Sequence, residues 1–566
     1  MSNDNDTTEP KLSPVEGIKA NSRYLRGTLA EELASPEDHF SEASKQLLKF
    51  HGTYQQEDRD ARKNRAKAGV GKHYMFMVRT RQPGGRLTAE QYLAMDDIAQ
   101  RYANGTIRLT TRQGIQFHGV IKSNLKNTIA AINDCLLSTL SACGDVSRNV
   151  MACPAPTGDP VREQMQHLAT DIAMHLAPRS KAYYELWLNG HLAGGASEDD
   201  HEPIYGKTYL PRKFKIGLSL PEDNCVDIYA QDLGFLAITQ AGQLQGFDVL
   251  VGGGMGRTNS NPNTFAHLGK HMCFVTPDEV VAMAEAVVKL YRDHGNRADR
   301  KRARIKYLVA DWGVEKFRSV LAEYVGKPLV APHCPPITNV DLHLGKHPQA
   351  NGQFFFGLSI ENGRIRDDGD FRLRSGLRAI VERFRTEVRV TPQQDLIICN
   401  LSAEQVHELE AMLPQFGIPH PLSISQVQRW SMACPAIPTC GLAITESERA
   451  LPGIIDQLER ELHALGLAEQ RISVRMTGCP NGCARPYQSE IGLVGRSGDK
   501  YTIYLGGETL GTRLNFEAAD LIKRDEIVPR LRRVLADYQA NRAEGESFGD
   551  YCHKLGAERL RAMLEA

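Results

Sequence analysis

Two stretches of this chain repeat at one offset, and that repeat constrains the fold more than any other feature. Arg108-Leu-Thr-Thr-Arg-Gln-Gly-Ile and Arg389-Val-Thr-Pro-Gln-Gln-Asp-Leu share Arg, Thr and Gln at matched positions. Arg148-Asn-Val-Met-Ala-Cys-Pro-Ala and Arg429-Trp-Ser-Met-Ala-Cys-Pro-Ala agree at six of eight residues. Both pairs lie 281 residues apart, close to half of the 566-residue chain. Two matches at one offset predict a duplicated, pseudo-twofold protein with a site between its halves. A chain of this length exceeds one core, so several domains are expected.

The coarse pattern is mixed α and β. Residues 1–65 read as an extended polar arm. Tyr74–Arg81, 106–121, Phe354–Ile360, Glu387–Thr391 and Leu396–Leu401 are strand-like runs of apolar and β-branched residues. Helical spacing marks 88–103, 162–177, 278–293, 403–414 and 446–465. Breaks fall near 150, at the Pro-rich Ala331-Pro-His-Cys-Pro-Pro336 and near 419–423. The expected division is an arm (1–65), a first half-domain (66–150), its larger companion (151–335), a second half-domain (336–425) and a final domain (426–566).

Lys plus Arg and Asp plus Glu both number 68, so no global charge favours nucleic acid or an anionic membrane. The start MSNDNDTTEP has no basic, apolar leader, and no run suits a membrane span. A cytoplasmic protein is expected, its twelve cysteines reduced and some of them metal ligands.

Four cysteines stand apart: Cys434-x5-Cys440 and Cys479-x3-Cys483. Pro435, Pro438, Pro480 and Gly482 keep both segments irregular, which lets loops turn several thiolates to one centre. The spacing leaves three readings: a [4Fe–4S] cluster, structural zinc, or two unrelated pairs of core cysteines. The five-residue gap weighs against zinc. Cys153 matches Cys434 in the repeat, but Asp159 matches Cys440, so the first copy lacks the quartet. At the stretch taken to face the Thr-Gly-Cys-Pro loop, the first copy has Leu210-Pro-Arg-Lys-Phe-Lys215.

Basic residues gather on these same segments. Lys213 and Lys215 alternate around Phe214, as do Arg79 and Arg81; Arg108 and Arg112 share a third strand-like segment, and Arg148 precedes the repeated Met-Ala-Cys-Pro. Most Lys and Arg are solvated surface, yet a small oxyanion in a dry pocket needs such charge-assisted donors. The run Arg297–Arg304 reads as a solvated basic helix. Leu250-Val-Gly-Gly-Gly-Met-Gly256 misses the dinucleotide fingerprint, because Arg257 takes the last glycine's place, and reads as a glycine turn near a ligand. Without a nucleotide or flavin motif, electrons are expected from another protein. His118 is either a site residue or a core imidazole.

Asn21-Ser-Arg-Tyr-Leu-Arg-Gly, Phe50-His-Gly-Thr-Tyr-Gln-Gln56, Arg108-Leu-Thr-Thr-Arg-Gln, Leu210-Pro-Arg-Lys-Phe-Lys and Thr477-Gly-Cys-Pro-Asn-Gly-Cys together resemble the siroheme-dependent sulfite and nitrite reductases over the whole chain. The resemblance implies a pseudo-symmetric α+β fold, with ferredoxin-like halves around siroheme and iron–sulfur domains. It implies one [4Fe–4S] cluster on Cys434, Cys440, Cys479 and Cys483, and one siroheme whose iron Cys483 also ligates. It implies sulfite held by Arg79, Arg148, Lys213 and Lys215. Arg108, Arg112, Arg212, Asn149 and Asn481 are the accompanying siroheme candidates. The activity implied is six-electron reduction of sulfite, with NADPH, FAD and FMN acting only through a partner flavoprotein. A ferredoxin-dependent sulfite or nitrite reductase is the alternative, and a zinc–cysteine scaffold the non-enzymatic one. Some relatives bond a cysteine placed like Cys143 to a tyrosine resembling Tyr54, which makes that pair a candidate crosslink.

Overall fold

The computed structural model describes residues 11–179, 186–188, 191–194, 202–259 and 261–565. Four five-stranded sheets dominate the described residues, and they come as two matched pairs. The first antiparallel sheet runs Thr53–Glu57, Tyr74–Arg79, Ile115–Val120, Ile107–Leu109, Arg364–Ile365; the second runs Gly345–Pro348, Phe354–Leu358, Leu396–Leu401, Val388–Val390, Arg86–Leu87. The order is the same, and each sheet's last strand comes from the other copy. Arg364 pairs with Arg108, and Arg86 with Arg389, the repeat equivalent of Arg108. The two sheets share one core, in which Leu87, Ile107 and Phe117 join Leu358, Val388 and Ile398.

The two mixed sheets also match. Ser147–Met151, Phe214–Ser219, Leu233–Gln240, Gln243–Val251 and Lys270–Val275 form one; Ser431–Ala433, Val474–Thr477, Ile491–Ser497, Lys500–Leu505 and Phe516–Lys523 form the other. In each, three parallel strands are followed by two antiparallel ones. Each closes a core of its own under helices, Pro160–His175 and Val280–His294 on the first, Leu451–Ala464 and Ile527–Asn541 on the second.

Contacts between repeat equivalents mark the pseudo-twofold axis. Gln113 Nε2 donates to Val390 O at 3.1 Å, and its equivalent Gln394 Nε2 donates to Leu109 O at 3.4 Å. Both glutamines hold positive φ, at 57° and 75°, which turns each side chain into the opposite copy.

Three expectations are corrected. The first ten residues of the arm lie outside the described residues, but the rest is not extended: it forms the helices Pro14–Ala20, Leu29–Ala34, Glu42–Leu48 and Arg62–Lys67, and Thr53–Glu57 enters a sheet. Polarity misled there because Lys19 is fully buried, ion-paired to Glu16 at 2.6 Å and bonded to Leu210 O at 2.8 Å. The run 297–304 forms turns and bends rather than a solvated helix. Arg304 pairs both ways with buried Asp232 at 2.9 and 2.8 Å, Arg300 with Asp145 at 2.8 Å, and Arg297 donates to Tyr209 O at 2.6 Å. The helix read from 446 begins at Leu451, because the preceding segment crosses the Cys434 loop: Ser447 Oγ donates to Met476 O at 2.9 Å and Glu448 N to Cys434 O at 3.1 Å.

Candidate active site

The four singled-out cysteines converge at one end of the second mixed sheet. Cys434 follows the strand Ser431–Ala433, and Cys479 and Cys483 follow its parallel neighbour Val474–Thr477. Gly478 N donates to Cys434 Sγ at 3.4 Å and Asn481 Nδ2 to Cys479 Sγ at 3.5 Å, so backbone and amide N–H groups already face sulfur. Burial pushes the thiols of Cys434 and Cys440 up and that of Cys479 to about 12, and in all three the Cys483 sulfur adds to the rise. Such thiols stay protonated unless a cation accompanies them, which suits metal ligands. Among the described residues, the Cys, His and carboxylate groups drawn close enough to share a single ion lie elsewhere. The quartet is therefore a wider ring, and it fits an inorganic cluster better than one zinc ion.

The loop is held from several sides. Arg257 N donates to Pro480 O at 2.9 Å, and a side chain at Gly256 would press on Asn481 O at 3.2 Å, so the glycine turn 252–256 packs on the cysteine loop. Lys306 Nζ fixes that turn through Gly254 O and Gly256 O at 3.0 and 2.6 Å. Arg59, from the arm, donates to Cys440 O at 3.2 Å and Ala443 O at 2.5 Å.

Cations crowd the space beside it. The Lys213 ammonium is pushed down to about 7, by burial and by Arg304, Arg148 and Arg212, while Cys483 opposes the shift. Burial, Lys213, Arg112 and Arg304 lower Lys215 well below the usual lysine range. No hydrogen bond or ion pair is seen for either ammonium among the described residues. Burial likewise brings Arg112 down to about 9. Its Nη atoms donate to Gln231 Oε1 at 2.7 Å, Asn149 O at 2.5 Å and Ile216 O at 2.9 Å, but its Nε and the Asn149 Oδ1 are buried with no partner. Arg148 donates to Gly144 O from Nη2 at 3.2 Å, and Arg79 Nη1 reaches Cys143 Sγ at 3.1 Å. Burial would lower the Arg148 pKa, but Tyr54 and Cys143 beside it raise it. Tyr54 and Cys143 thus share one buried space. Mutually repelling cations with orphaned donors, next to an iron–sulfur-like loop, form a site complementary to anions.

The other expected residues are tied into the protein in different ways. Arg108 lies on a strand, but Arg112 sits in the turn that follows it, which aims the two side chains apart. Arg108 is fully buried, bonded to Glu448 and, at 2.7 Å, to Ala433 O, so it ties the first sheet to the Cys434 strand. Glu448 is held to about 2 by Arg108 and Arg364 against the pull of burial. Arg212 is one-third exposed and 3.8 Å from Asp145. Asn149 Nδ2 donates to Gln82 O and Arg112 O at 2.7 and 2.8 Å. His118 is a core imidazole: burial drives its pKa well down and both ring nitrogens lack partners.

The stretch facing the Thr-Gly-Cys-Pro loop is not Leu210–Lys215, which leads into the start of the strand Phe214–Ser219. Strand registers set Met151 opposite Gly217 and Gly217 opposite Gly234; in the second copy Met432 opposes Arg475 and Arg475 opposes Gly492. Counting on from Gly217 and Arg475 reaches Cys225 and Cys483 together, then Tyr229 and Tyr487, then Gly234 and Gly492. The counterpart of the second cysteine loop is therefore Ser219–Cys225. Asp227 and its equivalent Arg485 form an ion pair, with Arg475 at 2.8 Å as a second partner. The signal was present in the sequence as a second offset of 258 residues.

Comparison with known proteins agrees with the duplicated architecture. Residues 69–135 and 347–415 match the nitrite/sulfite reductase ferredoxin-like half domain, and 169–329 match the nitrite and sulphite reductase 4Fe-4S domain. The chain is 45% identical to the sulfite reductase [NADPH] hemoprotein beta-component of Staphylococcus saprophyticus, over 96% of each chain. It is 44% identical to the sulfite reductase [ferredoxin] of Synechococcus elongatus, over 98% of this chain and 91% of that one. The structure of the Mycobacterium tuberculosis NirA protein superposes with a TM-score of 0.79 at 26% identity, over 98% of both chains.

Proposed function

The chain belongs to the nitrite and sulfite reductase family, and from that premise we propose that it reduces sulfite to sulfide as the hemoprotein component of an assimilatory sulfite reductase. Hydrogen sulfite, six electrons and six protons give hydrosulfide and three waters. A siroheme and a [4Fe–4S] cluster, when bound, supply single-electron transfer to the substrate sulfur. Cys434, Cys440, Cys479 and Cys483 would hold the cluster, and Cys483 would also ligate the siroheme. Arg112, Arg212, Asn149 and Asn481 would meet siroheme's polar edge, while Arg108 acts through the Cys434 strand.

Arg79, Arg148, Lys213 and Lys215 bind the sulfite oxygens and keep them apart from bulk water. The single observation that carries this is the pair of half-buried ammonium groups, Lys213 and Lys215, which have no hydrogen-bond or ion-pair partner among the described residues, with the Cys483 sulfur acting on Lys213. A lysine poised near 7 gives a proton to a departing oxygen and regains it at neutral pH. Arg148, whose pKa is raised, stays charged throughout and orients rather than transfers.

The proposed donor is a flavoprotein subunit that takes electrons from NADPH, as the name of the Staphylococcus relative suggests; the Synechococcus relative supports ferredoxin as the second reading. No described helix is long and apolar enough to cross a membrane, and a cytoplasmic setting accords with these donors. The test is the visible spectrum of the purified chain before and after sulfite, followed by steady-state rates with sulfite and nitrite from each donor. Siroheme absorption that shifts with sulfite, and higher kcat/KM for sulfite, are expected. A colourless, iron-free chain overturns the assignment.

A further inference from the structure

The first copy carries a second four-residue constellation, in the place that the pseudo-twofold axis relates to the cysteine quartet. Cys153 is the equivalent of Cys434, and Cys225 is the equivalent of Cys483. The two remaining cysteines of the quartet have no counterpart, since Asp159 and Pro221 stand in their places. Instead Asp223, from the same loop as Cys225, and His343, from the segment linking the halves, complete the group. Ligand atoms of Cys153, Asp223, Cys225 and His343 all lie within 4.8 Å of one another. All four residues are at most 3% exposed.

We propose that Cys153, Asp223, Cys225 and His343 form a structural zinc site that clamps the inter-half linker onto the first mixed sheet. The geometry fits. Cys153 Sγ lies 3.0 Å from Asp223 Oδ2 and 3.4 Å from His343 Nε2, and those two atoms are 3.2 Å apart. A tetrahedron with bonds of 2.0–2.3 Å has edges of about 3.3–3.8 Å, so outward shifts of a few tenths of an ångström admit the ion. Two thiolates, an imidazole and a carboxylate are a zinc donor set.

The surroundings are those of a metal ligand shell. His343 turns Nε2 to the cluster, while its Nδ1 faces Asp341 Oδ2 at 3.7 Å; its backbone N–H donates to Asp341 Oδ1 at 2.8 Å. A carboxylate behind the second ring nitrogen fixes a ligating histidine's tautomer. His343 holds φ at 58°, a left-handed value that histidine adopts more often than most residues, and the turn aims the imidazole inward. Arg162 Nη1 donates to Cys153 Sγ at 2.7 Å and Asp223 Oδ2 at 2.8 Å, and so neutralises one unit of ligand charge. With zinc bound, the Cys153 and Cys225 thiolates and the Asp223 carboxylate balance the ion and the Arg162 guanidinium; four metal–ligand bonds form, and the protons displaced from the ligands leave to water. Burial of such a group with no ion is a costly arrangement for a chain to retain.

The test is zinc and iron analysis, with zinc K-edge X-ray absorption, on full-length holoenzyme isolated without chelator from zinc-supplemented cells. Half an equivalent of zinc or more per chain is expected, with two sulfurs at about 2.3 Å and two lighter atoms at about 2.0 Å. The Cys225→Ala and His343→Gln variants should lose at least four-fifths of it. Less than half an equivalent beside a full iron complement overturns the proposal. So does a zinc shell without sulfur, zinc retained by both variants, or a Cys153–Cys225 disulfide in the unreduced protein. The wild-type measurement decides the matter even where a variant fails to fold.

Discussion

At the scale of single residues, the site is governed by charges that lack counter-ions until ligands arrive. Lys213 is the sharpest case, since burial and neighbouring cations bring it to about 7. Only its protonated form attracts an anion, so its contribution is present below that pH and fades above it. Lys213→Met is expected to raise KM for sulfite by about 10–100-fold at pH 6, the effect of a charged hydrogen bond of roughly 1.5–3 kcal/mol. The ratio of variant to wild-type KM should fall toward one by pH 9, a comparison that cancels sulfite's own titration. A ratio that stays constant with pH would remove Lys213 from the oxyanion site. Glu448 poses the opposite problem, an anion between Arg108 and Arg364. Replacing it with Gln leaves two guanidinium groups unpaired, one of them fully buried, at a cost of about 3–5 kcal/mol. Urea unfolding should show that loss, along with lower iron content, because Arg108 and Glu448 both bond the backbone that carries Cys434.

At the scale of elements, the exchanged strands depend on positions where a side chain has no room. Gly363 holds φ at 72°, and a Cβ there would lie 2.5 Å from Leu109 O. Gly363→Ala should therefore cost about 2 kcal/mol or more, read as a lower urea midpoint at unchanged slope. Beside the same turn, Asp395 is buried and pushed up to about 8 with a single backbone donor, Ile360 N at 2.8 Å. Its pKa is raised on folding, so the penalty is absent below about pH 4 and grows by roughly 1.4 kcal/mol per pH unit until pH 8. Asp395→Asn should match wild type in thermal stability at pH 4 and exceed it at pH 8. Much of this layer was legible in the sequence: the 281-residue offset located both antiparallel sheets, and Leu396–Leu401 was read to the residue. The mixed sheets were harder. Their second strands recur at 258 residues, because the first copy carries a longer connection between Met151 and Phe214 than the second does between Ala433 and Val474. Connections absorb such insertions at the surface, and the change of offset concealed the pairing of Cys225 with Cys483. The partners of Arg108 and Arg304 were not legible for a different reason: sequence gives a charge but not its partner, and Glu448 and Asp232 lie 340 and 72 residues away.

At the scale of the whole molecule, the duplication is more than two domains side by side. Arg86–Leu87 completes the sheet of the second copy and Arg364–Ile365 that of the first, and the core they cover is continuous. Neither half can close its antiparallel sheet alone: each would expose a strand edge and the apolar face that its partner's residues cover. The linker that joins them is exposed at Cys334 and is held on both sides of that point, by His333 N and Cys334 N to Asp248 and by Thr338 N to Pro221 O. A chain divided between Cys334 and Pro335 therefore keeps every strand and every candidate ligand while losing one peptide bond. Co-expressed fragments 1–334 and 335–566 are expected to copurify through a tag on either one and to carry siroheme colour. Each fragment expressed alone should be insoluble or lack a cooperative unfolding transition. If one of them proves a soluble monomer that unfolds cooperatively, the strand exchange is a consequence of assembly and not its cause, and the halves fold before they meet.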